Sequence, residues 1–282
     1  TYVNVGQVDN SGIELLLTGS LVKTKNFSWN TSFNLAYNKN RVVQLTEGVN
    51  TIQLATSVGS WAFVNTDAGR PYGIIKGYTM VTDSKGNIVY DTSTGYPVKG
   101  PIKEIGQGVA PLTTGFSNSF TYKNWNLDVL LDGKFGNDVF SVMNVYAVRF
   151  GLQKSTLPGR ENGLVLNGVT ANGDSYTRTV PVSQLRLYYD NLKNYSDLFV
   201  YDGSFIKLRQ IVLGYKIPAK YLGFAKIQSA SISFVARNLF VLYKKTENFD
   251  PESSYTNSNA QGFEAFGLPR ARSYGINLTV KF

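Results

Sequence analysis

From Phe27 to Asn38 the chain alternates two kinds of side chain: Phe27, Trp29, Thr31, Phe33, Leu35 and Tyr37 against Ser28, Asn30, Ser32, Asn34, Ala36 and Asn38. A period of two puts neighbours on opposite faces of a strand, so the segment predicts a sheet with one apolar and one polar face. The pattern recurs at 274–282, where Tyr274, Ile276, Leu278, Val280 and Phe282 alternate with Gly275, Asn277, Thr279 and Lys281. It recurs at 125–136, with Trp125, Leu127, Val129, Leu131 and Phe135 opposite Asn126, Asp128, Asp132 and Lys134. Residues 229–242 set Ile232, Phe234, Ala236, Phe240 and Leu242 against Ser231, Ser233 and Arg237, although Val235 and Leu239 share the second face. Three less regular strands fall near 12–22, 115–123 and 203–217. In the second of these Asn118 shares a face with Phe116 and Phe120; in the third the apolar phase switches between Leu208 and Ile211, which a bulge at Arg209–Gln210 would reconcile.

Connection lengths turn these strands into a topology. Residues 23–26, 123–124 and 218–226 are short links, whereas 41–114, 137–202 and 243–269 exceed the usual connection in a compact domain. Short and long links alternate, as expected of a transmembrane β-barrel with tight turns on the periplasmic side and long extracellular loops. The reading is therefore all-β: about seven antiparallel strands, near 12–22, 27–40, 115–123, 125–136, 203–217, 229–242 and 270–282, forming part of a larger barrel. Within the loops, Phe140, Met143, Ala147 and Phe150 have helical spacing, Ser183 is a candidate cap for a helix carrying Leu185, Tyr188, Tyr189 and Leu192, and Asp83–Gly86 reads as a hairpin turn.

Composition removes most chemistry. Among 282 residues there is no His and no Cys, which excludes a Ser-His-Asp triad, a thiol nucleophile and the usual zinc and haem sites. No constellation supports a lysine- or carboxylate-based enzyme, and no cofactor or metal is expected; Asp83, Asn87 and Asp91 lack the spacing of a calcium loop. The net charge of +9 is scattered over turns (Lys23, Lys25, Lys220, Lys226) and loops (Arg70, Lys76, Lys99, Arg149, Arg160, Arg178, Arg186), without the dense basic run that nucleic acid requires. Hydrophobic residues make up 43% and charged residues 17%, yet no run approaches the roughly 20 apolar residues of a membrane helix. That leaves a membrane barrel open, because only alternate residues of its strands face lipid. The opening TYVNVGQVDN has neither the basic start nor the apolar core of a signal peptide, so the chain reads as cytoplasmic or as a processed product or fragment.

Aromatic residues gather at strand ends: Phe27, Trp29, Tyr122, Trp125, Tyr221, Phe224 and Phe282 beside the short links, and Tyr37, Phe135, Phe240 and Tyr243 beside the long ones. Two such belts suit membrane interfaces. The polar faces make Asn30, Asn34, Asp128, Asp132, Arg237 and Asn277 candidate lumen-lining residues. In the loops, Trp61, Tyr72, Tyr78, Tyr90 and Tyr96 are candidates for contact with ligand or lid, with packing of the lid as the competing role.

Several blocks carry a resemblance: NVGQVDNSGIE at 4–14, FSWNTSFNLAYNKN at 27–40, 115–125 with GKFGNDVF at 133–140, GSFIKLRQIVLG at 203–214, ARNLF at 236–240, DPE at 250–252 and GINLTVKF at 275–282. Together they resemble the C-terminal part of SusC/RagA-type TonB-linked outer-membrane transporters of Bacteroidetes. The resemblance implies a 22-stranded barrel, an N-terminal plug, a SusD-like surface lipoprotein as lid, TonB engaging an N-terminal segment, and an oligosaccharide or peptide ligand. It places the chain in the outer membrane, amid lipid and lipopolysaccharide. The chain lacks the plug and the TonB-contacting segment, and an odd count of seven strands leaves two unpaired edges. The expectation is thus a C-terminal portion that pairs with a plug-bearing N-terminal portion of the same transporter. A surface adhesin or structural β-protein is the alternative.

Overall fold

The computed structural model describes residues 6–223, 227–253, 258 and 261–282. Phe224 and Lys226, assigned above to an aromatic belt and a basic turn, lie outside the described residues, as does the start of the 4–14 block.

Seven strands form one antiparallel sheet: β1 (Gly6–Lys23), β2 (Phe27–Leu45), β3 (Leu112–Tyr122), β4 (Trp125–Phe135), β5 (Phe205–Ile217), β6 (Ser229–Lys244) and β7 (Ser273–Lys281). They pair in chain order, each with the next. Directly opposed residues in an antiparallel pair share a face, so register defines both surfaces. Leu17, Phe33, Phe116, Leu131, Leu208 and Phe240 form one apolar row across six strands. Near the short turns, Phe27, Tyr122, Trp125 and Tyr215 form a second row, entirely aromatic, in which Trp125 and Tyr215 lie 4.7 Å apart.

Two irregularities in the pattern have structural causes. The register of β5 shifts between Leu208 and Gln210 against both neighbours, which places Ile206 and Leu208 on the same face as Ile211, Leu213 and Tyr215. The expected bulge is present. Asn118, the polar residue on the apolar face, accepts the indole N–H of Trp29 at 3.0 Å and is 9% exposed. The amide is stabilised in apolar surroundings because it has a partner.

The three long connections fold together. The first carries a four-stranded sheet of Thr51–Thr56, Ala62–Asp67, Ile74–Met80 and Lys99–Gln107. The second contains the strand Asp138–Ser141, helix α1 (Val142–Arg149), the hairpin Leu164–Val169 with Ser175–Val180, and helix α2 (Leu185–Asn191). The third contributes Phe263–Glu264, which pairs in parallel with Phe140–Ser141. One hydrophobic core joins all three: Ala62, Val64, Ile75 and Tyr90 from the first, Phe140, Val145, Leu166, Tyr188 and Phe199 from the second, and Phe263 from the third. Gly77 lets the first two approach closely, since a Cβ there would lie 2.4 Å from that of Ser196.

Details of the loops differ from the sequence reading. Phe140 belongs to a strand, and the helix starts only at Val142, because Ser141 accepts the N–H of Asn144 and caps it. Ser183 lies within a 3-10 turn, Val182–Gln184, so Gln184 precedes α2 instead of a side-chain cap. The Asp83 turn is as expected: its carboxylate accepts the backbone N–H of Lys85 and of Asn87 at 2.8 Å each.

Candidate functional site: the polar face and its cap

All six polar-face candidates lie on the surface opposite the apolar rows. Asn30 and Asp128 share one cross-strand row, Ser20–Asn30–Ser119–Asp128–Val212–Val235. Asn34 and Asp132 share another row of the same face, two rows on, Leu16–Asn34–Gly115–Asp132–Lys207. Gly115 has a packing reason: the Asn34 amide lies over it, and a Cβ there would sit 2.8 Å from Asn34 Nδ2. Arg237 opposes Gln210 and donates to its Oε1 at 3.0 Å, and Asn277 opposes Ser233. The face is mixed, since Leu16, Leu130, Val212 and Val235 belong to it too.

Asp128 and Asp132 do not act as a carboxylate pair. Asp128 accepts from Asn126 Nδ2 at 2.6 Å, whereas Asp132 is held by Arg209, whose Nη2 lies 2.8 Å from Oδ2. Each carboxylate thus has its own partner, which removes the shared-proton arrangement that acid–base work would use.

Arg209 belongs to a charge cluster that sequence reading passed over. Lys207 Nζ donates to Asp250 Oδ1 at 2.5 Å and to Glu252 Oε2 at 2.7 Å; Arg209 donates to both oxygens of Glu252 at 2.8 and 2.6 Å. Arg270 Nε lies 3.3 Å from the same carboxylate. Lys207 is 4% exposed, so its charge is stabilised by these acids in place of water. Burial opposes ionisation of Glu252, but hydrogen bonds from Arg209 and Lys207 hold its carboxyl down at about 2. The bulge at Arg209 turns this side chain toward the cap, and the DPE triplet at 250–252 supplies both acids. The third loop is thereby clamped to the sheet. The available signal was charge itself: two cations flanking Leu208, and two acids in a triplet already noted for resemblance.

The loop aromatics divide by environment. Tyr90 is 4% exposed and stacks on Tyr176 at 4.9 Å, inside the core of the cap. Trp61 packs edge-on against Tyr146, and Tyr96 stacks on Tyr188; both adjoin that core. The Tyr78 ring lies beneath Lys99 Nζ at 3.4 Å, while Tyr72 is tied through its backbone to Asn40 and Gln107. In this arrangement Tyr90 serves packing.

The core of the cap contains no residue of the seven-stranded sheet. The apolar face of that sheet is left bare: Ile13 is 67% exposed, Leu17 56%, Phe234 46%, Ile276 71% and Leu278 65%. Tyr122, Trp125, Tyr221 and Phe282 are exposed at the short-turn end, and Tyr37, Phe240 and Tyr243 toward the loops. Among the described residues no helix is long and apolar enough to cross a membrane, and no group of His, Cys, Asp and Glu is placed to hold a metal.

An antiparallel sheet with a bare apolar face, a polar face and all long loops gathered at one end is a section of a transmembrane β-barrel wall. Comparison places it among known proteins. No protein-family profile matches. The chain is 25% identical to TonB-dependent receptor P3 of Formosa agariphila over 99% of its own length and 29% of the relative, and 23% identical to the TonB-dependent receptor SusC of Bacteroides thetaiotaomicron over 99% and 27%. The solved RagAB peptide importer in its open-open state superposes with a TM-score of 0.69 at 19% identity, covering 98% of this chain and 29% of that one. The chain resembles a section of a SusC/RagA-type TonB-dependent receptor along its whole length, and spans under a third of the length of these relatives.

Proposed function

We propose that this chain supplies part of the wall and the outer cap of a TonB-dependent nutrient importer in the outer membrane. The observation that carries the reading is the bare apolar face of the sheet, beside loops that bury a core of their own. In water such a face would cost about 25 cal/mol for each Å² left unburied, whereas in a bilayer it needs no cover. On this reading the polar face lines the lumen through Asn30, Asn34, Asp128, Asp132, Arg237 and Asn277, and the cap is extracellular. Trp61, Tyr72, Tyr78 and Tyr96 belong to the surface that meets ligand or lid. A plug-bearing portion pairs with the free edges of β1 and β7 and carries the segment that TonB engages. A SusD-like lipoprotein closes the cap, and the cargo is an oligosaccharide or a peptide.

The test is sidedness in intact cells. Cys introduced at the exposed cap positions Ser60 or Ser175 should react with an impermeant maleimide, and Cys at Thr24, in a short turn, should not. Recovery of the protein in the soluble fraction, or labelling at Thr24 alone, overturns the reading. Purification in detergent should also bring down the plug-bearing portion; a stable folded barrel without it speaks for an adhesin or structural role instead.

A further inference from the structure

The junction of α1 and α2 holds a cavity of about 460 Å³, within the range of small-ligand sites. Arg149, Arg160 and Arg186 line it together with Phe150, Val182 and Tyr189. Three guanidinium groups in one recess need an explanation, because like charges brought together on a folded surface repel.

Their present partners leave positive charge over. Arg149 pairs with Asp190, which also accepts from Lys193 Nζ at 2.8 Å, so one carboxylate serves two cations. Arg160 is held in place by uncharged oxygens: Nε donates to Thr156 O at 3.0 Å, and Nη2 to Gly151 O at 2.5 Å and to Thr156 Oγ1 at 3.0 Å. Those bonds fix its orientation without neutralising it. Arg186 is exposed and makes no hydrogen bond or ion pair among the described residues. Glu161, beside Arg160 in sequence, is exposed and pairs with none of the three. The rest of the lining is largely apolar: Phe150 is 54% exposed and Val182 48%, above the buried Leu185 and Tyr189. The Arg149 guanidinium lies 5.5 Å from the Phe150 ring, so charged and aromatic surfaces are contiguous.

From this geometry we infer that the recess binds a carboxylate carried on an aromatic or branched apolar group. Arginine forks match a carboxylate with two parallel N–H···O bonds, which the unpaired Arg186 is free to offer, while Arg160, with Nε and Nη2 committed to Gly151 and Thr156, presents Nη1 from a fixed position. Two cations thus face the recess without a carboxylate of their own. Phe150, Val182 and Tyr189 cover the apolar part of the ligand, and this lining disfavours a uronate, whose ring is ringed with hydroxyls. The ligand can be the C-terminal residue of a short peptide or a free aryl carboxylic acid. The site belongs to the cap alone and does not depend on the importer reading.

The experiment is titration calorimetry on the whole protein, purified in detergent with the portion that closes its barrel, using N-acetylphenylalanine, its carboxamide, phenylacetate and glucuronate. N-acetylphenylalanine should bind, with the carboxamide and glucuronate at least tenfold weaker, and Arg186→Gln should weaken binding by roughly tenfold. Phenylacetate binding as tightly would assign the site to free aryl acids, and weaker binding to peptide ends; both uphold it. Val182→Asp is the second variant, since it puts a competing carboxylate into the recess without replacing any arginine. Equal affinity for acid and carboxamide, glucuronate binding as well as N-acetylphenylalanine, or native affinity in both variants overturns the proposal. Because binding is read on purified protein, failed uptake with intact binding would count against the importer alone.

Discussion

Ser141 Oγ donates to Glu264 Oε2 at 2.6 Å across 123 positions of sequence, and both residues are wholly buried. The same hydroxyl accepts the N–H of Asn144 and so caps α1, while Asn144 Nδ2 donates to Glu247 O and its Oδ1 accepts from Asn248. One side chain thus starts a helix and joins two loops. Ser141→Ala removes the cap and the donor to a buried carboxylate together. The expected loss is about 2–4 kcal/mol of cap stability, from an unsatisfied buried acceptor and a lost N-cap. Protease susceptibility of the second and third loops should rise together; a rise in one alone contradicts a shared body.

The Trp29–Asn118 pair can be tested as a cycle. Trp29→Phe keeps an aromatic ring but strands the Asn118 amide on the apolar face, at a cost of about 1–3 kcal/mol. Asn118→Val alone removes the polar group along with the need for a donor. The double variant should therefore be more stable than Trp29→Phe alone in urea unfolding from lipid vesicles. Simple additivity of the two changes would show that the hydrogen bond carries no stability.

Adjacent residues of β2 should differ sharply in tolerance. Phe33 lies in the apolar row and Asn34 in the polar one, so Phe33→Lys should cost about 2–4 kcal/mol in a bilayer while Asn34→Lys is accepted. The comparison is made by folding both variants into vesicles. Equal tolerance would remove the lipid-facing assignment of the row.

The clamp should release in acid. The Glu252 carboxyl ionises near 2 when folded, below its ordinary 4.5, so its stabilisation is complete above pH 4.5 and is lost as pH falls toward 2. Limited proteolysis of the third loop across that window should show cleavage rising as pH drops. Glu252→Gln should be cleaved readily at neutral pH and should lose the acid-dependent step, because Lys207 is then left with one acid instead of two. Unchanged cleavage of native protein between pH 4.5 and 2 would contradict the clamp.

Much of the wall was legible because period-two alternation survives any choice of barrel partners. The phase switch between Leu208 and Ile211 even located the bulge. What the pattern could not give was the purpose of that bulge: it presents Arg209 to Glu252 of the DPE triplet, a contact that joins distant segments and leaves no local period. The same limit explains Phe140, whose helical spacing was real but whose backbone was taken by strand pairing with Phe263 and Val200. It also explains Tyr90, whose ring was open to either role in sequence and is buried among residues of two loops. The face shared by Asn30, Asn34, Asp128 and Asp132 was readable; the partners that hold Asp128 and Asp132 were not.

The parallel pairing of Phe263–Glu264 with Phe140–Ser141 has a consequence for the order of assembly. The middle strand of that small sheet, Asp138–Ser141, has Val200–Asp202 on one side and waits for the third loop on the other. Until β6 is in place and the chain beyond it is available, Phe140, the Ser141 hydroxyl and the α1 cap lack their closing contacts. Contacts this distant in sequence form late, after the entropy of closing the intervening loops has been met. Completion of the cap is thereby coupled to completion of the wall, so a half-inserted chain would present an open, protease-sensitive cap instead of a working one.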